Sequence, residues 1–322
     1  MRIFVAGHRG MVGSAVARAL ALDGTHEVIT VPRDRLDLTD QRAVAHFFAC
    51  EPIDAVILAA ARVGGIMANA KAPASFLYDN LAIAANVIHA AHEADINRLI
   101  QLGSSCIYPR DAAQPIREEA LMTGALEPTN APYALAKITA IKLCESYNIQ
   151  YGRDYRSLMP TNLYGPGDNF HPEKAHVIPA LIQRFDAAVR NGARHVTLWG
   201  TGTPRREFLH VDDLAAAVMF IIGMSAEDYA RQTDPACSHI NVGTGKDISI
   251  LALARTIARL TGFEGVILTD PEKPDGTPRK CLDISRMTSM GWRASKDFEE
   301  GLAQTVLWYR QMQARGARLR AS

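Results

Sequence analysis

The sequence predicts an α/β protein: a doubly wound parallel sheet followed by a smaller C-terminal α/β domain. Three observations predict it. Short, wholly apolar runs such as Ile3-Phe4-Val5-Ala6 alternate with helix-patterned stretches, a glycine turn follows the first run at once, and the texture becomes turn-rich after Tyr164. Continuous apolar strands alternating with helices mark βαβ units whose strands are buried on both faces. Right-handed crossovers then wind these units into one sheet.

In chain order, Ile3–Ala6 is the first strand and Ser14–Leu20 the first helix. Glu27–Val31, Ala55–Ala60 and Arg98–Leu102 are the next strand candidates, and Pro73–Ala94, rich in Ala, Leu, Ile and Asn, is a long helix before the fourth strand. Pro166-Gly167-Asp168-Asn169 opens the irregular region. A length of 322 residues exceeds what one compact core usually holds. The expected division gives residues 1–165 and 208–243 to a dinucleotide-binding domain, and 166–207 and 244–322 to a substrate domain.

Composition narrows the function. With 35 Lys+Arg against 34 Asp+Glu, nothing favours nucleic acid or an anionic membrane as the main partner. The longest apolar stretches, such as Val56–Ala61, fall far short of the ~20 residues a membrane helix needs. The glycine at position 7 cuts the N-terminal apolar run too early for a signal peptide. Five scattered cysteines without a CxxC pair argue against disulfides or zinc and for a cytoplasmic location.

Gly7-His8-Arg9-Gly10-Met11-Val12-Gly13 lies between the first strand and first helix. Glycines there permit a tight turn and let a pyrophosphate approach the free N–H groups of the helix start. The spacing, GxxGxxG, is a variant of the dinucleotide fingerprint, and a plain helix-capping turn is the bland alternative. After the second strand the chain reads Val31-Pro32-Arg33-Asp34-Arg35. Arginine at this point suits the 2′-phosphate of NADP, with Arg9 as a second fork, whereas Asp34 is a possible NAD carboxylate. NADP(H) is the expected cofactor, and Asp37-Leu38 is placed for an adenine-edge contact.

Tyr133 and Lys137 stand at i and i+4, on one helix face. A nearby lysine is expected to lower the phenol's pKa from ~10 and make the pair a proton relay. Ser104-Ser105, just past the fourth strand, can share a substrate carbonyl with Tyr133. Glycine loop, serine and YxxxK in this order form a joint signal that none carries alone.

With these residues the chain resembles the extended short-chain dehydrogenase/reductase family, over nearly its whole length. The likeness rests on GHRGMVG (7–13), AAARVGGI (59–66), LGSSCIYP (102–109), EPTNAPYALAK (127–137), MPTNLYGPGD (159–168), HVIPA (176–180), REFLHVDD (206–213) and KPDGTPRK (273–280). Within that family it is similar to enzymes that epimerise C3 and C5 of GDP-4-keto-6-deoxy-D-mannose and then reduce C4 with NADPH. The resemblance implies Tyr133 as the acid at the C4 oxygen, Lys137 on the nicotinamide ribose, Ser104 orienting the ketone, Cys106 as epimerisation base and His176 as its acid. It implies a cofactor cradle of Gly7, Arg9, Gly10, Met11, Val12, Gly13 and Arg33, with Leu102, Gly103, Ser104, Ser105, Lys137, Pro160, Thr161, Asn162, Leu163 and His176 towards the nicotinamide. Arg184, Trp199, Arg206 and Asp275 are implied contacts of the GDP-sugar. The family also implies a homodimer through the helices near Pro73–Ala94 and Tyr133–Tyr151; no metal is expected.

The residue types suit that chemistry independently. A C4 ketone acidifies the protons at C3 and C5, so one base and one acid on opposite faces can invert each centre through an enolate. Taken alone, Cys106 reads equally as a small buried hydrophobe, and His176 as a structural residue at a helix start. Trp199-Gly200-Thr201-Gly202-Thr203-Pro204-Arg205-Arg206 offers stacking and guanidinium forks, or simply a solvated turn before a strand at Glu207–Val211, with Asp212 or Asp213 capping the next helix.

Three rival functions are weighed. A sugar-nucleotide 4,6-dehydratase of the family carries Asp-Glu after its serine or threonine, but Cys106-Ile107 follows Ser105 here. A reductase or epimerase-reductase for a related GDP-4-keto-6-deoxy sugar is barely separated by the motifs. An NADP-binding redox sensor without turnover is disfavoured by the intact Ser104, Tyr133 and Lys137.

Overall fold

The computed structural model describes residues 1–171, 175–273, 275–314 and 316, so Pro274 of the 273–280 motif lies outside the described residues. The N-terminal half runs β1 (Arg2–Ala6), α1 (Met11–Asp23), β2 (Glu27–Ile29), α2 (Gln41–Cys50), β3 (Ala55–Leu58), α3 (Ile66–Lys71), α4 (Pro73–Glu93), β4 (Arg98–Leu102), α5 (Ala131–Tyr151), β5 (Asp154–Pro160) and β6 (Asn162–Tyr164). It continues with α6 (Val177–Arg190), β7 (His195–Trp199), β8 (Arg205–His210), α7 (Val211–Gly223), α8 (Ala226–Ala230), β9 (Ile240–Val242), β10 (Asp247–Ser249), α9 (Ile250–Thr261), β11 (Val266–Asp270), β12 (Arg279–Lys280), α10 (Ser285–Ser289) and α11 (Phe298–Ala314).

Six parallel strands form the main sheet, in the order β2-β1-β3-β4-β5-β9. Its central strands are the apolar runs of the sequence. Ile3, Val5, Val56, Ile57, Leu99 and Ile100 have no exposed surface, each contributing about 1.5–3 kcal/mol by burial. One core lies between the sheet and α1 with α7, the other beneath α2, α4 and α5. β2 stops at Ile29 rather than Val31 because the chain turns at Pro32, whose carbonyl accepts the N–H groups of Arg35 and Leu36. Strand order reverses between β1 and β3, which opens a ligand crevice at their carboxyl ends.

A second sheet centres on β8. β10 pairs antiparallel along one edge, while β12 and β6 share the other, with Lys280 opposite Arg206 and Asn162 opposite Phe208. β7 and β11 form a separate parallel pair, packed with α6, α9 and α11 around their own core. The shared edge of β8 places the end of β12 and the start of β6 in one line. One expectation is corrected here: α7 is capped by neither aspartate. The His210 ring accepts the Asp212 N–H at 3.2 Å, and buried Asp213 instead receives the N–H groups of Ser295 and Lys296.

Candidate active site

The glycine loop lies at the crevice. Gly7 has φ +90°, and a β-carbon there would lie 2.7 Å from the Ala60 backbone; one on Gly13 would lie 2.2 Å from the Gly7 carbonyl oxygen. These two glycines are demanded by backbone approach within the protein. Gly10 is different: its φ is −74°, and an added β-carbon would meet only the Gly7 oxygen at 3.4 Å. The open space above Gly10, and a helix start without a side-chain cap, fit a pyrophosphate on the free N–H groups of α1. Gly167 closes the far side, where a β-carbon would sit 3.6 Å from the Met11 α-carbon.

Past β2, Arg9 pairs with Asp34 at 3.8 Å and Arg33 with Asp37 at 3.5 Å, all at the surface. Asp34 therefore has a guanidinium partner of its own. Asp37 also accepts the Thr39 N–H at 3.0 Å and its hydroxyl at 2.8 Å, so it braces the turn.

The catalytic candidates meet where β4 faces α5. Lys137, buried, donates to the Leu102 carbonyl at 2.8 Å, and its ammonium lies 5.9 Å from the centre of the Tyr133 ring. Phe76 supports that ring edge-on, at 6.5 Å between centroids. Cys106, 8% exposed, follows Ser104, whose hydroxyl accepts the Cys106 N–H at 3.4 Å. Burial pushes the Cys106 thiol up, while Lys280, a Ser104 hydrogen bond and Lys137 pull it down. Tyr133 is raised by burial and then by Cys106, and Lys137 is lowered to about 8 by burial.

The last result corrects the expectation that Lys137 lowers the phenol. Its ammonium is committed to Leu102, and desolvation dominates both groups. Tyr133 therefore keeps its proton at neutral pH and is poised as a donor.

In the segment expected to line the nicotinamide, Pro160 closes β5, while the Thr161 hydroxyl and the Asn162 amide donate to the Glu207 carbonyl at 3.3 and 2.8 Å. Met159 lies against Gly103, Ser105 is buried, and Leu163 packs against the core beneath α1. His176 is the N-cap residue of α6 and solvent-exposed, with no side-chain cap bond. Its ring has no hydrogen-bonding partner among the described residues. No hydrogen bond or ion pair among the described residues joins it to Cys106.

The four GDP-sugar candidates form one patch. The Arg184 guanidinium lies 5.5 Å from the centre of the Trp199 ring, which is 60% exposed. Asp275 accepts the Thr201 N–H at 3.0 Å and its hydroxyl at 2.7 Å, which pins the turn after Trp199. Arg206 donates to the Thr277 carbonyl at 2.6 Å, and burial lowers its pKa. Aromatic face and cations thus stand beside one another, as a nucleoside diphosphate requires.

Two participants were not singled out from the sequence. Lys280, next to Arg206 across the strands, faces Cys106; its only sequence signal was the end of the 273–280 motif. Glu207, fully buried, accepts the N–H groups of Thr244, Gly245 and Leu282 at 2.6, 2.7 and 2.8 Å, and its carbonyl anchors Thr161 and Asn162. No cluster of three or more His, Cys, Asp or Glu suited to a metal occurs among the described residues.

Comparison with known proteins follows the same lines. Residues 3–243 match the model of the NAD dependent epimerase/dehydratase family. GDP-L-fucose synthase of Escherichia coli (strain K12) is 57% identical, covering 98% of each chain. GDP-L-fucose synthase 1 of Arabidopsis thaliana is 52% identical over 96% of this chain and 93% of its own. Among solved structures, a GDP-L-fucose synthetase from Naegleria fowleri bound to NADP is 26% identical and superposes with a TM-score of 0.86, covering 98% of this chain and 96% of its own.

Proposed function

From the premise that this chain belongs to the NAD dependent epimerase/dehydratase family, we propose that it carries out the synthesis its near relatives are named for: 3,5-epimerisation of GDP-4-keto-6-deoxy-D-mannose, then NADPH-dependent reduction at C4 to GDP-L-fucose. The observation that carries this reading is geometric: the Lys137 ammonium lies 5.9 Å from the centre of the Tyr133 ring, and both residues feel the charge of buried Cys106. A candidate epimerase base and a candidate reductase acid share one buried corner.

Bound NADPH supplies the hydride. The glycine loop holds its pyrophosphate, Arg9 and Arg33 its 2′-phosphate, and the segments at 102–105 and 160–163 its nicotinamide end. Arg184, Trp199, Arg206 and Asp275 hold the GDP-sugar. Cys106 takes the protons from C3 and C5, and His176 returns protons from the opposite face. Ser104 orients the ketone, and Tyr133 gives its proton to the C4 oxygen. Lys137 bonds the nicotinamide ribose beside its Leu102 anchor.

Residues 1–165 with 208–243 serve the dinucleotide and 166–207 with 244–322 the sugar nucleotide, a division supported by the seat of β9 in the main sheet. The packed pair α4 and α5 exposes Tyr78, Leu81, Leu135 and Ile149, which supports a homodimer across those helices. All five cysteines are free, in keeping with a cytoplasmic protein. No helix among the described residues is long and apolar enough to cross a membrane.

Separation of the two activities tests the reading. Cys106→Ser replaces a thiol of pKa ~8.5 with a far weaker acid of similar size. Solvent deuterium then stops entering C3 and C5, while the unepimerised ketone is still slowly reduced by NADPH to a GDP-6-deoxyhexose other than GDP-L-fucose. Undiminished exchange at both carbons would remove Cys106 as the base.

A further inference from the structure

Lys280 has no part in the assignments above, yet the fold aims it at the epimerase candidate. β12 pairs with β8 so that Lys280 lies opposite Arg206. The strand then runs on against residues 114–116, the Cys281 carbonyl accepting the Ile116 N–H at 2.8 Å and its N–H reaching the Gln114 side chain at 2.9 Å. Two residues beyond Lys280, Leu282 is buried in one small core with Ile107 and Tyr108, which directly follow Cys106. Alternate residues of an extended strand share a face, so Lys280 and Leu282 point to the same side. The lysine is held over the segment that carries the thiol. Glu207, through the Leu282 N–H, fixes the register.

The surroundings of the thiol are few. Tyr133, Lys137 and the Ser104 hydroxyl face it from α5 and the end of β4, and Lys280 faces it from β12. The interaction is mutual: Lys280 favours the thiolate, and Cys106, with a smaller share from Glu127, favours the ammonium against burial and Arg206. Lys137 is already engaged with Leu102, whereas the Lys280 ammonium has no side-chain hydrogen bond or ion pair among the described residues.

We propose that Lys280 is a positioning residue for epimerisation, holding the thiolate of Cys106 in place as the base that removes the C3 and C5 protons. The proposal rests on the reading of Cys106 as that base. When the thiolate takes a carbon-bound proton it becomes a thiol, the electron pair stays on the sugar as the enolate, and Lys280 remains protonated throughout. Its role is electrostatic: a cation beside a buried sulfur lowers the cost of the anion.

The experiment measures iodoacetamide alkylation of Cys106 in the intact, substrate-free protein across pH, read at its peptide by mass spectrometry, beside solvent-deuterium exchange into the keto-sugar. Lys280→Met should raise the thiol's apparent pKa by about one unit, slowing alkylation at pH 7.5 about tenfold. Exchange should fall by a similar factor and recover at higher pH, and Lys280→Arg should restore both profiles. A Cys106 alkylation profile unmoved by Lys280→Met, with exchange lost only through a higher KM, would make Lys280 a substrate contact and overturn the proposal. Cys106→Ser separates the two readings. If it retains exchange, the base assignment and this proposal both fall; if it loses exchange while the Lys280→Met profile is unchanged, only this proposal falls.

Discussion

The ammonium of Lys137 donates to the carbonyl of Leu102 at 2.8 Å, tying the middle of α5 to the last residue of β4. This bond orients the lysine without neutralising it, and burial lowers its pKa to about 8. The folded protein thus releases this proton near pH 8, whereas the ordinary lysine value is 10.5. Within that window the unfolded chain binds more protons, so the contribution of Lys137 to stability rises with pH. Melting temperatures of the cofactor-free protein and of Lys137→Met, taken from pH 7 to 10, should show the wild type gaining on the variant above pH 8. A constant difference would contradict the lowered value.

Gly10 separates cofactor binding from folding. An alanine there meets only the Gly7 oxygen at 3.4 Å, so Gly10→Ala should melt close to the wild type, within about 0.5 kcal/mol. NADPH affinity should nevertheless fall at least tenfold, since the methyl group occupies the approach of the pyrophosphate. Gly13→Ala is the contrast: its β-carbon collides with Gly7 backbone at 2.2 Å, and an overpacking cost of about 1–3 kcal/mol or more should appear in thermal unfolding itself.

Arg33 is exposed and pairs with Asp37 at 3.5 Å. Arg33→Ala should weaken NADPH much more than NADH, by the ~1.5–3 kcal/mol of a charge-assisted contact. Titration of both cofactors by fluorescence reads this directly. Equal losses would move the 2′-phosphate elsewhere.

Tyr133→Phe removes a hydroxyl whose proton burial retains at neutral pH. Reduction should fall on the order of 10²–10⁴-fold, while calorimetric binding of NADPH and GDP-sugar persists. A rate near that of the wild type would take the acid role from Tyr133.

Much of this architecture is visible in the sequence because buried parallel strands leave continuous apolar runs. Ile3–Ala6, Ala55–Leu58 and Arg98–Leu102 announce themselves in that way. β9 does not, since its three residues, Ile240–Val242, are too short to stand out and join the sheet only through β5. The glycine loop is legible as a motif, but which glycine serves the ligand is a matter of distances: Gly13 and Gly7 answer to each other, Gly10 to empty space. The Tyr133–Lys137 spacing gives their shared helix face but not their proton affinities, which depend on burial beneath β4 and beside Cys106. Lys280 and Glu207 act across strand pairings between residues far apart in the chain, and no local pattern encodes such a partner.

Epimerisation and then reduction of the same sugar by one chain is directly measurable. Its most direct measurement is the product formed by the purified protein from GDP-4-keto-6-deoxy-D-mannose and NADPH in deuterium oxide. The expected product is GDP-L-fucose carrying solvent deuterium at both C3 and C5, formed with one NADPH oxidised per molecule. A GDP-6-deoxyhexose of unchanged C3 and C5 configuration, free of deuterium at those carbons, would show a reductase alone and contradict it.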